Sequence, residues 1–262
     1  MLELNNIEIQ QKLQTGGSGE VYAGSLLQPN GCETPVAIKV VPLKSNELKN
    51  HFIKESQIAR KLGGQFCPKV FTHFVKKNQG VIVMEKMFTD FYDATEISLS
   101  ESIIKTIFFK IAQAIRHCHR NKIAHLDIKP ENVLLDQSFR NVKLCDFGHA
   151  IDFSKELPQF NTFPGTEFYM APEFLTKQLI IPDKADLWSF GIMLYVTITG
   201  EYPYSGTGND QKNNFKAGKL NLSALSQCEF DTSCKMLIGK LLNVNPSQRP
   251  SIDEVLNSTW FR

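Results

Sequence analysis

The sequence has no cysteine pairing pattern. Its six cysteines stand at 32, 67, 118, 145, 228 and 234, and no C-x-x-C pair occurs among them. A disulfide framework and a zinc-ribbon spacing are therefore not expected. Long hydrophobic runs are also missing. The most apolar stretch, 187–200, contains Ser, Thr and Trp and is too short to span a bilayer, so it reads as a buried core helix. No secretory h-region opens the chain. Charge of one sign is not in excess: the net charge is +2. That excludes the strongly basic footprint of a nucleic-acid binder. Internal repeats and low-complexity tails are absent too. Together these absences point to a reduced intracellular setting, cytoplasmic or nuclear. A chain of 262 residues is long enough for one large domain or two small lobes with sizeable cores.

What is present is a dense polar stretch among apolar runs. It reads His125-Leu126-Asp127-Ile128-Lys129-Pro130-Glu131-Asn132, with Asp146-Phe147-Gly148 a short way downstream. Residues 133–135 and 142–145 read as two short strands, with turn chemistry from Gln137, Ser138, Arg140 and Asn141 between them. A hairpin of that kind returns Asn132 and Asp146 to the same end of the pair, with Asp127 nearby. Asn132 and Asp146 then share a divalent metal. Such oxygen ligands suit Mg²⁺, which keeps waters and completes its shell from phosphates. A turn merely rich in Asp and Asn does not account for the spacing: seven fixed positions coincide by chance about once in 10⁹.

The preceding chain supplies matching parts. Strands are expected around Ile7 to Leu13, Val21 to Ala23 and Val36 to Val41. Between the first two lies Gly16-Gly17-Ser18-Gly19, a turn whose backbone N–H groups approach phosphate oxygens closely. Lys39 sits in the third strand with apolar flanks, where an unpaired ammonium is costly. It needs an anion, and Glu55 is the candidate. Glu55 lies on a helix over 47–62, with Leu48, Phe52, Ile58 and Leu62 on one side. Two more strands follow, near 70–75 and 81–84, and the chain beyond residue 90 is mainly helical. Ser100 to Asn121 keeps Ile104, Phe108, Ile111, Ile115 and Cys118 on one face, with Ser100 as N-cap. The histidines at 117, 119 and 125 lack a second Cys/His group with zinc spacing, so packing roles are expected for them.

These motifs together resemble the protein kinase family. Its pattern is a glycine loop, Val-Ala-Ile-Lys on the third strand, His-Arg-Asp-Leu-x-x-x-Asn and Asp-Phe-Gly. Gln14 stands where the family has its first glycine, and Leu126 where it has Arg. Gly165-Thr166-Glu167-Phe168-Tyr169-Met170-Ala171-Pro172-Glu173 is similar to the segment that closes the family's activation loop. The resemblance covers 5–261. It implies an α+β, bilobal fold: a small β-rich lobe over 1–84 with one main helix, a hinge over 85–90, and a larger helical lobe over 91–262. A single catalytic domain with no attached regulatory domain is expected.

The resemblance also implies roles. ATP and Mg²⁺ are the expected cofactors. Leu13, Gly16, Gly17, Ser18, Gly19, Val21, Ala37, Lys39, Glu55, Met84, Glu85 and Met87 are expected at the nucleotide, and Asp90 near its ribose. Asn132 and Asp146 are expected to hold the metal. Asp127 is the expected catalytic base, Lys129 the cation for the γ-phosphate, and Thr166 the hydroxyl that bonds both and helps seat the substrate. Asp186, an acid at the start of an apolar helix, is favourable with the helix dipole and is implied to bond the backbone near His125. Arg249 is implied to pair with Glu173.

Lys129 with Thr166 resembles the serine/threonine branch, so protein substrates with Ser or Thr acceptors are expected. Glu131 is the acid that basophilic members of the family turn toward an upstream basic residue. No nucleic acid and no membrane insertion are expected. The His-Leu-Asp form is similar to that of myosin light chain and death-associated kinases. A phosphate on Thr162 meets no arginine at Leu126, so activity is expected to be independent of activation-loop phosphorylation. The other class of reading is a pseudokinase-like scaffold or allosteric ATP-binding module. Its mark is loss of Lys39, Asp127, Asn132 or Asp146, and all four are present.

Overall fold

A computed structural model describes residues 6–16, 19–155, 165–176 and 180–262. Gly17, Ser18 and Thr162, singled out above, lie outside the described residues. The chain divides into two compact units, Met1–Phe88 with Lys143–Gly148, and Thr89–Val142 with His149–Arg262.

The first unit is built on a five-stranded antiparallel sheet. Its strands are β1 (Ile7–Gly16), β2 (Gly19–Leu27), β3 (Glu33–Pro42), β4 (Val70–Lys76) and β5 (Gln79–Glu85), and one helix, α1 (Asn46–Leu62), lies between β3 and β4 in sequence. The order across the sheet is β1-β2-β3-β5-β4. Successive strand residues face opposite ways, and the core follows that rule. Leu26, Val36, Ile38 and Val83 form one buried cluster. Ile82, next to Val83, joins Leu43 and Phe52 of α1 in another.

Ser45 caps α1 by accepting a bond from the Leu48 amide at 3.2 Å, as N-cap serines do. The helix buries Phe52, Glu55, Ser56, Ile58 and Leu62. Leu48 departs from expectation: it is 43 % exposed. Residues 44–51 are all exposed, so packing begins only at Phe52. The apolar repeat therefore extends one turn beyond the surface that covers it.

The second unit begins with β6 (Thr89–Asp90), α2 (Phe91–Ala94), α3 (Glu101–Arg120), β7 (Ile123–Ala124), β8 (Val133–Leu135), β9 (Val142–Leu144, which leads back into the first unit) and β10 (Ile151–Asp152). It continues with α4 (Glu173–Thr176), α5 (Pro182–Thr199), α6 (Asn209–Lys216), α7 (Ala224–Gln227), α8 (Thr232–Leu241) and α9 (Ile252–Leu256). β6 pairs with β8 and β7 with β10, both antiparallel. The turn after β8 is organised by Asp136, whose carboxylate accepts from the Arg140 and Asn141 amides and from Ser138. Ser100 caps α3, and the five apolar residues expected on its inner face are buried. Phe108 from that face meets Phe91, Phe190 and Trp260 at centroid distances of 5.7, 5.5 and 6.3 Å.

Helix α5 is buried on nearly all sides from Ala185 to Tyr195, as an all-round apolar helix must be. It starts at Pro182, four residues before Asp186. Asp186 is thus inside the helix and not at its N-terminus, which corrects the dipole reading. A proline at the first helical position fixes that start.

Arg249 ties three parts of this unit together. Its Nη1 and Nη2 each donate to one oxygen of Glu173 at 2.7 Å. Both side chains have no exposed surface. The guanidinium lies 4.8 Å from the Trp188 ring centroid, and Nη1 also donates to the Lys184 carbonyl at 3.0 Å. Breaking a buried pair leaves an uncompensated charge, at a cost of about 3–5 kcal/mol. Arg249→Leu is therefore expected to destabilise the protein by about that amount in urea unfolding, whereas a change below about 1 kcal/mol would contradict this account.

Candidate active site

In the first unit the site grows from one strand lysine. Lys39 pairs with Val21 on β2 and Ile82 on β5, so it lies in the middle of the sheet. It is 5 % exposed. Its Nζ donates to Glu55 Oε1 at 2.6 Å and to Asp146 Oδ1 at 2.9 Å. Burial pulls the Lys39 ammonium down, but the two carboxylates outweigh burial and leave its pKa raised. Glu55 has the opposite balance. Burial pushes it up, and one lysine does not fully compensate with Asp146 adding repulsion. The cluster therefore holds a fixed cation beside two carboxylates.

Asp146 adopts φ +58°, and its Oδ1 also accepts from the Gly148 amide at 3.2 Å. The Asp-Phe-Gly turn is thereby closed on itself. β1 and β2 meet at Gly16 opposite Gly19. Gly19 has φ +133°, and a Cβ there would fall 2.4 Å from the Val40 carbonyl oxygen, so no other residue fits. A register shift between Lys12 and Gln14 leaves Leu13 bulged, just where glutamine replaces the family's glycine. Leu13 is 48 % exposed. Ala37 pairs with Ala23 and Met84. Val21, Ala37, Met84, Glu85 and Met87 are half-buried.

One residue of this unit escaped the sequence reading. Lys143 is buried, and its Nζ donates to Glu85 Oε2 at 2.7 Å and to the Gly64 carbonyl. The Lys69 amide bonds the same Glu85 oxygen at 3.1 Å. A lysine between Val142 and Leu144 carried the same signal as Lys39: a cation in an apolar strand that needs an anion.

In the second unit the polar loop 125–132 is folded around Asp127, which is buried. Asn132 Nδ2 donates to its Oδ2 at 2.9 Å and to its carbonyl at 2.8 Å. Lys129 Nζ lies 3.1 Å from Oδ2. The Thr166 hydroxyl donates to Oδ1 at 2.8 Å and accepts from Lys129 Nζ at 2.6 Å. Gly165, just before it, has φ +86°, and a Cβ there would meet the Leu126 carbonyl oxygen at 2.4 Å. The close approach of the two segments requires glycine at that point.

Asp186 supports this loop from α5. Its Oδ2 accepts from the His125 amide at 2.9 Å and lies 2.8 Å from His119 Nε2. Its Oδ1 accepts from the Leu126 amide at 2.8 Å. Leu126 itself is buried, with φ +61°. Asp90 caps α2, with its Oδ1 accepting from the Asp93 amide at 2.9 Å. Burial raises its pKa, and neighbouring Asp93 and Glu131 add to that. Glu131 Oε2 is buried with no hydrogen-bond partner.

Among the described residues, no group of three or more His, Cys, Asp or Glu side chains is arranged to hold a metal ion. A zinc-like cage is thus missing there. Taken separately, the Asp146 carboxylate of the first unit and the Asn132 amide oxygen of the second are each of the oxygen-donor type that magnesium takes. The buried ammonium of Lys39 is a cation of the kind that pairs with phosphate.

A β-sheet unit with a buried strand lysine paired to a helix glutamate, and a helical unit with an Asp-Lys-Asn-Thr cluster, define a bilobal protein kinase. The comparisons agree. A model of the protein kinase domain matches residues 7–261, and the chain belongs to that family. It is similar to CBL-interacting serine/threonine-protein kinase 12 of Arabidopsis thaliana, 30 % identical over 271 residues, covering 100 % of this chain and 53 % of that one. It is similar to the carbon catabolite-derepressing protein kinase of Candida tropicalis, 28 % identical over 98 % of this chain and 42 % of that one. It is also similar to the ovarian-specific serine/threonine-protein kinase Lok of Drosophila melanogaster, 35 % identical over 63 % of this chain and 35 % of that one. The chain thus spans about half or less of the length of these relatives. No helix among the described residues is long and apolar enough to cross a membrane.

Proposed function

We propose that this chain transfers the γ-phosphate of ATP to serine or threonine hydroxyls of protein substrates. The observation that carries the reading is the Thr166 hydroxyl, held between Lys129 Nζ and Asp127 Oδ1 at 2.6 and 2.8 Å. That geometry presents a carboxylate and a cation side by side, with a hydroxyl already seated on both. Asp127 orients the acceptor hydroxyl and takes its proton. Lys129 neutralises charge that develops on the transferred phosphoryl group. Asn132 holds the Asp127 carboxylate in place. Lys39, oriented by Glu55, fixes the α- and β-phosphates, and Gly16, Gly17, Ser18 and Gly19 cover them. Leu13, Val21, Ala37 and Met84 face the adenine, whose edge bonds the Glu85 and Met87 backbone. Asp146 and Asn132 are the proposed magnesium ligands. When bound, the ion offsets phosphate charge and orients the triphosphate.

The proposed domain runs over 5–261, with a small lobe over 1–84, a hinge over 85–90 and a large lobe over 91–262. An intracellular site of action, cytoplasmic or nuclear, is supported by six scattered cysteines with no pairing pattern in the sequence. A pseudokinase-like scaffold is the less favoured reading, because Lys39, Asp127, Asn132 and Asp146 are all retained. Incubation with labelled ATP, Mg²⁺ and a generic protein tests the reading. Wild type is expected to label the protein, while Asp127→Asn and Lys39→Met lose at least about 10²-fold and chelation of Mg²⁺ stops the reaction. Equal labelling by all three proteins would defeat it.

Two finer proposals follow from the same cluster. Leu126 is apolar and buried, and its amide is already fixed on Asp186. A phosphate on Thr162 has no arginine there to order it. Thr162→Ala is thus expected to keep turnover within about threefold of wild type; loss of activity would refute phosphate-independence. Glu131 has a buried, unpartnered carboxylate oxygen, and its charge reaches both Asp90 and Tyr169. An upstream arginine or lysine of the substrate would satisfy it. Peptide arrays should show that preference in wild type and weaken it in Glu131→Gln, and an array without upstream basic selection sinks the idea.

A further inference from the structure

Phe168 has a backbone φ of +72°. A bulky aromatic residue rarely adopts this left-handed region. Such a conformation persists only where the surroundings over-determine it, and it clusters where geometry serves function. Here the surroundings are visible. The Phe168 ring lies 5.0 Å from Tyr202, 5.8 Å from Tyr204 and 5.4 Å from Phe215, the last nearly perpendicular at 86°. Tyr204 and Phe215 are buried and pack on each other at 5.3 Å. The Tyr204 hydroxyl donates to the Phe168 carbonyl at 3.2 Å. One residue on, the Tyr169 carbonyl accepts from Ser189 of α5 at 2.8 Å, and the Tyr169 amide bonds the Thr166 carbonyl at 3.2 Å.

Burial alone does not explain this arrangement. The Phe168 ring is only half-buried, and asparagine or glycine would hold the same φ with less strain. What the ring adds is a fixed point two residues from Thr166. With Gly165 pressed against the Leu126 carbonyl on one side, a wedge at Phe168 fixes the segment on the other.

We propose that Phe168 is a positioning residue: its aromatic cluster holds segment 165–169 so that the Thr166 hydroxyl sits between Lys129 and Asp127. The proposal rests on the phosphotransfer reading and adds a division of labour within it. Phe168 sets how the protein acceptor is seated and leaves nucleotide binding to the other residues named above.

Phe168→Asn tests this, since asparagine tolerates positive φ and lacks the ring. Steady-state kinetics with a serine peptide should show kcat/KM for the peptide falling about tenfold or more, as small misplacements at a reacting centre do. The KM for ATP should stay within about twofold. Amide exchange at 166–169 should quicken, while α5 stays protected. Phe168→Tyr keeps the ring and should stay within about twofold of wild type. Peptide kinetics unchanged in Phe168→Asn would overturn the proposal. So would a parallel rise in the KM for ATP, or faster exchange throughout α5, because each marks general loosening. Wild type beside Asp127→Asn in the same assay separates the two levels. If those two label equally, the phosphotransfer reading fails, and the exchange measurement still decides whether Phe168 holds the segment.

Discussion

The polar loop 125–132 depends on one buried carboxylate. Asp186 lies inside an apolar helix with no exposed surface. A carboxylate there is tolerable only if its oxygens are satisfied. They are satisfied by the amides of His125 and Leu126 and by His119. The same bonds that make Asp186 tolerable fix the start of the loop, and the loop then presents Asp127, Lys129 and Asn132. Helix α5 is buried continuously from Ala185 to Tyr195, so the loop is anchored on the core. Helix packing and site geometry are thus one constraint.

The other buried charges obey the same rule by different means. Lys39 is held by two carboxylates, Lys143 by Glu85 and a carbonyl, and Arg249 by both oxygens of Glu173. Pairs of this kind add little net stability over an apolar core, because desolvation offsets attraction. Their value lies in direction. An apolar side chain fills space in several rotamers, whereas a bidentate Arg249–Glu173 pair has one geometry. In the first unit the two carboxylates around Lys39 keep its ammonium charged despite burial.

Positive φ occurs at the same places, as it does in the turns and bends at Lys77, Asn78, Lys122 and Phe139. Leu126, Asp146 and Phe168 all carry positive φ without being glycine, at about 1–3 kcal/mol each. Each is locked by bonds or packing: Leu126 by Asp186, Asp146 by Lys39 and Gly148, Phe168 by three rings. None of the three is a good left-handed residue by its side chain alone, save that aspartate tolerates the region better than leucine or phenylalanine. Backbone bonds and ring packing from elsewhere in the fold supply what the side chains do not.

The positions of the strands along the chain, the long helices and the polar residues of the two motifs were legible in the chain, because alternation, capping and motif spacing are local properties. Ser45 and Ser100 cap helices where their spacing says, and Lys39 announced its need for an anion by its apolar flanks. Other features are not local. Leu48 keeps the helical repeat yet stays exposed, since only the reach of the sheet decides where a helix face is covered. Asp186 looked like an N-terminal acid until Pro182 was seen to start the helix earlier. Lys143 and Phe168 depend on partners at Glu85, Gly64, Tyr202, Tyr204 and Phe215, which lie far from them in sequence. The sequence by itself determined which chemical groups are available and which of them cannot be buried alone. The tertiary structure decided which partner answers each of them, because desolvation and packing act between residues that only folding brings together.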